Sequence, residues 1–172
     1  MKNKIRLLKK RLRKGRNNDL KLKMVPWQSP EYFAAIELRN DSLNRPSGLN
    51  LITSPPVQEE HALHIVATIK GEVVGTLFLD GTERDYVAQI KQVAVSSEHR
   101  GRKIGQHLMT YAENIAIQHS YQEIVLYARE SAWQFYEKLH YVNFGEQASN
   151  GANLMQYYRK ELGITSDIIE VA

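Results

Sequence analysis

Cysteine is missing from the sequence, so no disulfide can staple the fold and no thiolate can hold a metal ion. Long apolar runs are missing too: the longest are a few residues, against the ~20 that a membrane-spanning helix requires. Acidic side chains are almost missing from the first 23 residues, where Asp19 alone stands against 11 lysines and arginines. These absences exclude a disulfide-framed secreted domain, a zinc-thiolate module and a helical membrane protein. They lead to the expectation of a cytoplasmic chain in a reducing compartment.

What is present is ordinary in amount and uneven in placement. The 172 residues are 42% hydrophobic and 24% charged, enough for one domain with a real core. The formal charge of +4 hides a segment of +10 at the start and a remainder of −6. MKNKIRLLKKRLRKGRNN places Ile5, Leu8 and Leu12 at roughly helical spacing, as in a basic amphipathic helix that touches acidic lipid, RNA or another protein. A solvated tail is the plainer reading and the one taken here. The segment lacks the apolar stretch of a secretory signal, and its lysine-rich, serine-free composition is unlike a transit peptide. The expected organisation is a basic extension over 1–18, a domain over 19–162 and a tail over 163–172.

Past the arm, strand and helix signals alternate. DLKLKMV, Asp19 to Val25, shows period-two apolar residues at Leu20, Leu22 and Met24. From Ser29 or Pro30 the period becomes helical, with Tyr32, Ala35, Ile36, Arg39 and Leu43 on one face. Arg39 thus sits in an apolar stripe, and a buried guanidinium there is either paired structurally or placed at a binding site. RPSGLNLITSPP, Arg45 to Pro56, reads as a loop or short helix of the kind that covers sites. HALHIVATIKG and EVVGTLFLDG are two strands joined at Lys70-Gly71, and DYVAQIKQVAV is a third, all expected antiparallel because their connections are short. Gly105 to His119 reads as a helix burying Leu108, Tyr111, Ala112, Ile115 and His119. EIVLYA follows as a strand parallel to the one before the helix. SAWQFYEKLH reads as a second helix with Ala132, Phe135, Tyr136 and Leu139 inward, and YVNF and NLMQYYRK close the sheet. The expected order is β-α-β-β-β-α-β-α-β-β.

Between the third strand and the long helix lies EHRGRKIGQHLM, Glu98 to Met109. A helix N-terminus leaves backbone N–H groups unpaired and carries the positive end of the dipole, so it attracts phosphate. Arg100, Arg102 and Lys103 add charge, and glycines at 101 and 105 allow close approach. The turn is neither GxGxxG nor GxxxxGK[ST], which leaves a Rossmann dinucleotide site and a P-loop NTPase without support. The HALH pair, His61 and His64, is read as strand residues on opposite faces, and no cluster has metal-ligand spacing.

Arg100-Gly101-Arg102-Lys103-Ile104-Gly105 after QVAV, followed by AWQFYEKLHY, resembles the GNAT superfamily of N-acyltransferases from about Leu20 to Leu162. Its motif is Q/R-x-x-G-x-G/A ahead of a long helix, with a later xxFYxxxGF segment. LRNDSLNRPSGL also resembles a subgroup of bacterial members. Lys103 and His140 stand where the two motifs carry glycine, so Lys103 demands a backbone conformation open to non-glycine residues.

The resemblance implies an α/β (α+β) acyl-CoA N-acyltransferase fold, a mixed central sheet with helices on both faces. It implies acetyl-CoA as cosubstrate, no metal, and direct attack of a primary amine, small-molecule or peptide, on the thioester. In such proteins the strand before the loop splays from the next, and the V-shaped gap receives pantetheine. Val93, Ala94 and Val95 would then bind the pantetheine through backbone groups. Arg100, Gly101, Arg102, Lys103, Ile104, Gly105 and Gln106 would hold the pyrophosphate. Tyr136 matches the tyrosine that protonates the departing thiolate. The substrate pocket is expected to involve Arg39 and the Arg45 to Pro56 loop, where a guanidinium suits a carboxylate or phosphate on the acceptor. Many relatives dimerise, so a homodimer is one expected partner. No general base is assigned: Gln89 and Gln92 stand where some relatives carry a carboxylate, and Glu83, Asp85, His64 and His99 each read better as surface or core residues. Two other functions stay open: a non-catalytic acyl-CoA-binding regulator, and an RNA- or ribosome-associated module working through the arm.

Overall fold

The computed structural model describes residues 19–44, 56–151 and 153–163. The basic extension 1–18, the loop from Arg45 up to Pro56 and the tail beyond Gly163 lie outside the described residues. The first four strands are β1 (Leu20–Val25), β2 (Leu63–Ile69), β3 (Glu72–Gly81) and β4 (Val87–Val95), each antiparallel to the next. Lys70 (φ 52°) and Gly71 (φ 84°) both take left-handed conformations, which suits a tight hairpin whose twist matches the flanking strands. Helix α2 (Ile104–Gln118) then carries the chain across the sheet, so β5 (Glu123–Arg129) returns parallel to β4. The short β6 (Val142–Asn143) and β7 (Ala148–Asn150) both pair with β8 (Asn153–Glu161), which lies antiparallel to β5. The order across the sheet is β1-β2-β3-β4-β5-β8-β6. This is the expected α/β architecture with one further short strand, β7.

Helix α1 (Pro30–Arg39) covers the front of the sheet and α2 the back. Ser29 starts α1: its hydroxyl accepts the Tyr32 N–H at 3.2 Å, and Pro30 takes the first turn, where its missing N–H costs nothing. Beneath α1, Val25, Ala35 and Val66 form a small apolar cluster. Behind the sheet, Ile104, Leu108, Met109, Ala112, Ile115 and Ala116 of α2 pack on Ile65, Leu77, Leu79, Ile90, Ile124 and Leu126. Each fully buried aliphatic side chain there stabilises the fold by about 1.5–3 kcal/mol. The alternation along β1 serves both layers: Leu20 and Leu22 pack on the rear core, whereas Val25 faces α1 and Met24 remains exposed. His119, expected inward, is instead the exposed C-cap of α2, and Tyr111 is half-buried. His61 lies in the turn ahead of β2, so only His64 of that pair is a strand residue.

A third helix, α3 (Trp133–Lys138), is half-length and depends on its ending. His140 has φ 68°, its N–H donates to the Glu137 carbonyl at 3.0 Å, and the Tyr141 N–H donates to the Tyr136 carbonyl at 3.1 Å. That is a Schellman closure, which ordinarily uses glycine. Lys103, at the start of α2, has φ 62°. Both residues that depart from the motif glycines therefore keep the left-handed backbone a glycine would take.

The last turn of α1 carries the most buried charge. Arg39 is 3% exposed and donates to Glu59 through both terminal nitrogens, at 2.9 and 2.6 Å. Glu59 also accepts the Tyr32 hydroxyl at 3.0 Å, and its backbone carbonyl meets His64 Nε2 at 2.8 Å. The guanidinium lies 5.2 Å from the Phe78 ring centroid. Of the two readings of Arg39, the structure shows structural pairing: Glu59 ties α1 through its carboxylate and strand β2 through its backbone carbonyl. Burial pushes the His64 pKa down, so the imidazole is neutral in this network.

Two outcomes follow for stability. Glu59→Ala strands a buried guanidinium and is expected to cost about 3–5 kcal/mol, read by urea unfolding. His140→Gly removes the left-handed penalty on a side chain and is expected to add about 1 kcal/mol, raising Tm by about 2–4 °C.

Candidate active site

The opening in the sheet begins with one residue of β4. Thr76 pairs with Ala94 and Phe78 with Lys91, so Leu77 of β3 stands opposite two residues, Gln92 and Val93. Gln92 has φ 55°. Such a bulge bends its strand and adds local twist. The effect appears on the other edge of β4: pairing with β5 runs through Val87↔Glu123, Ala88↔Ile124 and Gln89↔Val125 and then stops. Beyond Gln89 the strands part, leaving β4 backbone groups on that edge without a strand partner. The gap is a cleft of about 740 Å³, lined by Gln89 to Val93, Tyr127 to Arg129, Ser131, Ala132, Phe135 and Tyr136. Ser42, Leu43, Arg100 and Met155 complete its rim. At its wall the Gln92 Oε1 is buried without a hydrogen-bond partner among the described residues.

The basic turn enters at one end. Arg100 lines the cleft, and Gly101 follows with φ 74°, a conformation that favours glycine. Lys103 is the N-cap of α2 yet makes no capping hydrogen bond, and the first turn holds no acidic residue. Helix α1, by contrast, is capped by Ser29 and carries Glu31 in its first turn. The start of α2 thus keeps its N–H groups and positive dipole end for something outside the chain. Arg102 and Gln106 are half-buried there, while Ile104 is core. Gly105 answers a different need from the one its motif suggests: a Cβ would stand 3.1 Å from Phe135 Cζ, so this glycine lets α2 and α3 touch. Val93 lines the cleft, Ala94 is buried and Val95 packs on the rear core. Arg39 does not line the cleft, because its guanidinium is turned to Glu59.

Tyrosines sort themselves by partner. Four are buried among the described residues: Tyr32, Tyr136, Tyr141 and Tyr158. The hydroxyl of Tyr32 donates to Glu59, that of Tyr141 to Glu113 at 3.0 Å, and that of Tyr158 to Glu137 at 2.8 Å. Tyr136 has no such partner and lines the cleft, its ring held edge-on to Phe135 and Tyr141. Burial pushes its pKa up to about 12, so the phenol carries its proton throughout the neutral range.

Among the described residues no histidine or carboxylate lines the cleft. Glu83 and Asp85 are exposed in the β3–β4 connection, His64 is locked under α1, and His99 Nδ1 lies 3.3 Å from Ser96 Oγ. Gln89 and Gln92 do line it. Among the described residues no group of three histidines or carboxylates could hold a metal ion, and no helix is long and apolar enough to cross a membrane. The sequence reading missed Tyr127 and Arg129, which strand alternation alone places opposite the buried Leu126 and Ala128.

Comparison with known proteins bears on the whole domain. Structures that share this fold include a protein of Lactobacillus plantarum classed as an N-acetyltransferase, 22% identical, with a TM-score of 0.73 over 84% of this chain and 99% of that one. Escherichia coli ElaA is 18% identical, with a TM-score of 0.71 over 83% and 99%. An aminoglycoside 6'-N-acetyltransferase complexed with coenzyme A is 17% identical, with a TM-score of 0.70 over 83% and 97%. A search of curated proteins returns no match. The model of the acetyltransferase (GNAT) family matches residues 21–141, which takes in α1, the bulged β4, the basic turn and Tyr136. By that match the chain belongs to the GNAT family of acetyltransferases.

Proposed function

We propose that the protein is an acetyl-CoA-dependent N-acetyltransferase acting on a primary amine, with residues 19–162 as the catalytic domain and the basic extension 1–18 as an accessory. The observation that carries this reading is the parting of β4 from β5 beside an uncapped helix start. Acetyl-CoA supplies an activated acetyl thioester. The β4 edge from Gln92 to Val95 offers backbone groups and the Gln92 Oε1 to the amides of pantetheine, much as another strand would. Arg100, Arg102 and the N–H groups of Lys103 to Gln106 are suited to the pyrophosphate, through charge and the helix dipole together. A relative of the same fold is complexed with coenzyme A, which supports this assignment.

At the reacting end, Tyr136 holds a proton at a hydroxyl that nothing else in the protein occupies. Attack forms the N–C bond and breaks the C–S bond, and the Tyr136 proton passes to the sulfur. The amine must arrive neutral, and the cleft offers no carboxylate or imidazole to make it so. As the C–N bond forms, the nitrogen gives its surplus proton to water, and water returns one to the Tyr136 phenolate. Gln89 and Gln92 can orient that water but cannot take the proton.

Calorimetric titration with acetyl-CoA is expected to give micromolar binding in the wild type and a loss of about tenfold or more in Arg102→Glu. Equal affinity in both would remove the helix start from the site. Arg102→Glu serves better than a change at Gly105, where any side chain would displace Phe135. With an accepted amine, Tyr136→Phe should lower kcat about a hundredfold and leave the acetyl-CoA KM unchanged. The pH profile of kcat/KM should climb about tenfold per unit up to the pKa of the amine itself. A plateau near pH 7 would reveal an enzymic base instead.

A further inference from the structure

The two sides of the cleft differ in charge and surroundings. Arg100 and α3 stand toward the back, whereas the front opening lies beside the end of α1. Strand alternation decides which side chains face it. On β5, Leu126 and Ala128 are buried in the rear core, so Tyr127 and Arg129 face forward. On β4, Lys91 is paired across the sheet with Phe78, which lies under the Arg39 guanidinium, so Gln89 and Lys91 face forward as well. The front mouth is therefore formed by Ser42, Leu43, Gln89, Lys91, Tyr127 and Arg129.

Charges at this mouth are of one sign. Lys91 is balanced by Asp80 at 2.9 Å. Arg129 is not balanced: it is half-buried, and among the described residues it makes no ion pair and only one hydrogen bond, a long one of 3.4 Å from Nη2 to the Leu43 carbonyl. Elsewhere Arg39 is paired with Glu59, Arg84 with Glu123 and Lys160 with Glu113. Acids on the flanking elements are engaged or turned away: Asp80 holds Lys91, Asp41 has a contact of its own, and Glu130 is exposed outside the lining. A guanidinium left with most of its donors free in a cleft wall is suited to a carboxylate or phosphate, which it can engage through two parallel hydrogen bonds. A polycationic amine would meet the same charge as repulsion, with no carboxylate on the lining to receive it. Beside Arg129, Tyr127 is 54% exposed and its ring leans on that of Tyr157, with centroids 4.4 Å apart and planes tilted by 45°, giving the mouth an aromatic wall.

We propose that the acceptor is a small primary amine that also carries a carboxylate or phosphate, held by Arg129 at the front mouth against Tyr127. This rests on the acyltransferase reading and adds the substrate class. It moves anion recognition from Arg39, which is occupied by Glu59, to an arginine at the end of β5.

Four amines of similar size separate the possibilities: β-alanine, 2-aminoethyl phosphate, ethanolamine and ethylenediamine. Turnover is measured as CoA thiol release, corrected to the neutral-amine fraction, and binding is measured by titrating each amine onto the CoA-saturated full chain. The two anionic amines should exceed ethanolamine by about tenfold to a hundredfold in kcat/KM or affinity, with ethylenediamine last. Arg129→Gln should bring the anionic amines down to the level of ethanolamine with the acetyl-CoA KM unchanged, and Arg129→Lys should restore part of the preference. A lead for ethanolamine or ethylenediamine in protein that binds acetyl-CoA would overturn the proposal and leave the acyltransferase reading standing. So would an Arg129→Gln protein that keeps its preference, or one that loses acetyl-CoA instead. Failure to bind acetyl-CoA at all would count against the acyltransferase reading, and against this proposal with it.

Discussion

A strand inside a sheet has hydrogen bonds on both edges, and the structure turns on one place where β4 has them on only one. The extra residue at Gln92 to Val93 lets β4 stay paired with β3 while it turns away from β5. Unpaired backbone groups in a sheet interior are costly unless something pairs with them. Here the neighbouring strand is missing over the length of a cleft, and the opening ends at a helix start with its own unpaired N–H groups. A ligand that is amide-bearing along one part and anionic at one end answers both needs together.

Among the described residues, buried side-chain polar atoms outside the cleft are mostly paired, the Trp27 Nε1 and Arg39 Nε groups excepted. Three of the four buried tyrosine hydroxyls are held by glutamates, and the fourth, Tyr136, opens into the cleft. Helix α1 has a serine cap and an acidic first turn, whereas α2 has neither. Ion pairs hold Arg39, Arg84 and Lys160, whereas Arg129 at the cleft mouth has none among the described residues. Tyr136, the start of α2 and Arg129 lie along one opening, and this coincidence argues for a site more strongly than any one of them does.

Much of this was legible in the sequence because it is local. The Lys70-Gly71 hairpin, the Ser29-Pro30 helix start, the parallel return through α2 and the inward face of α1 depend on residues close together in the chain. The motif turn could be found for the same reason, but the backbone at its non-glycine position could not: Lys103 was expected in a conformation open to side chains, and it keeps the left-handed one, φ 62°, as His140 does at φ 68°. What was not legible depends on pairing at a distance. Nothing about Gln92 as a residue type announces a left-handed bulge, since the register slip belongs to β3 and β4 jointly. Arg39 could be seen to need a partner, but Glu59 lies 20 residues away beyond a turn-rich segment. The packing need at Gly105 was not legible, because its nearest neighbour, Phe135, comes from a helix 30 residues later in sequence. Arg129 drew no notice in the sequence, because only the fold shows that no carboxylate of the described residues pairs with it.

The central claim is that coenzyme A takes the place of the missing strand beside β4, and amide hydrogen exchange across Ile90 to Val95 tests it most directly. In the free protein the amides on the open edge should exchange faster than those directed at β3. Adding CoA should slow the exposed set and leave the β3-paired set unchanged. Protection confined to other parts of the chain, such as the basic extension, or none at all, would contradict the account.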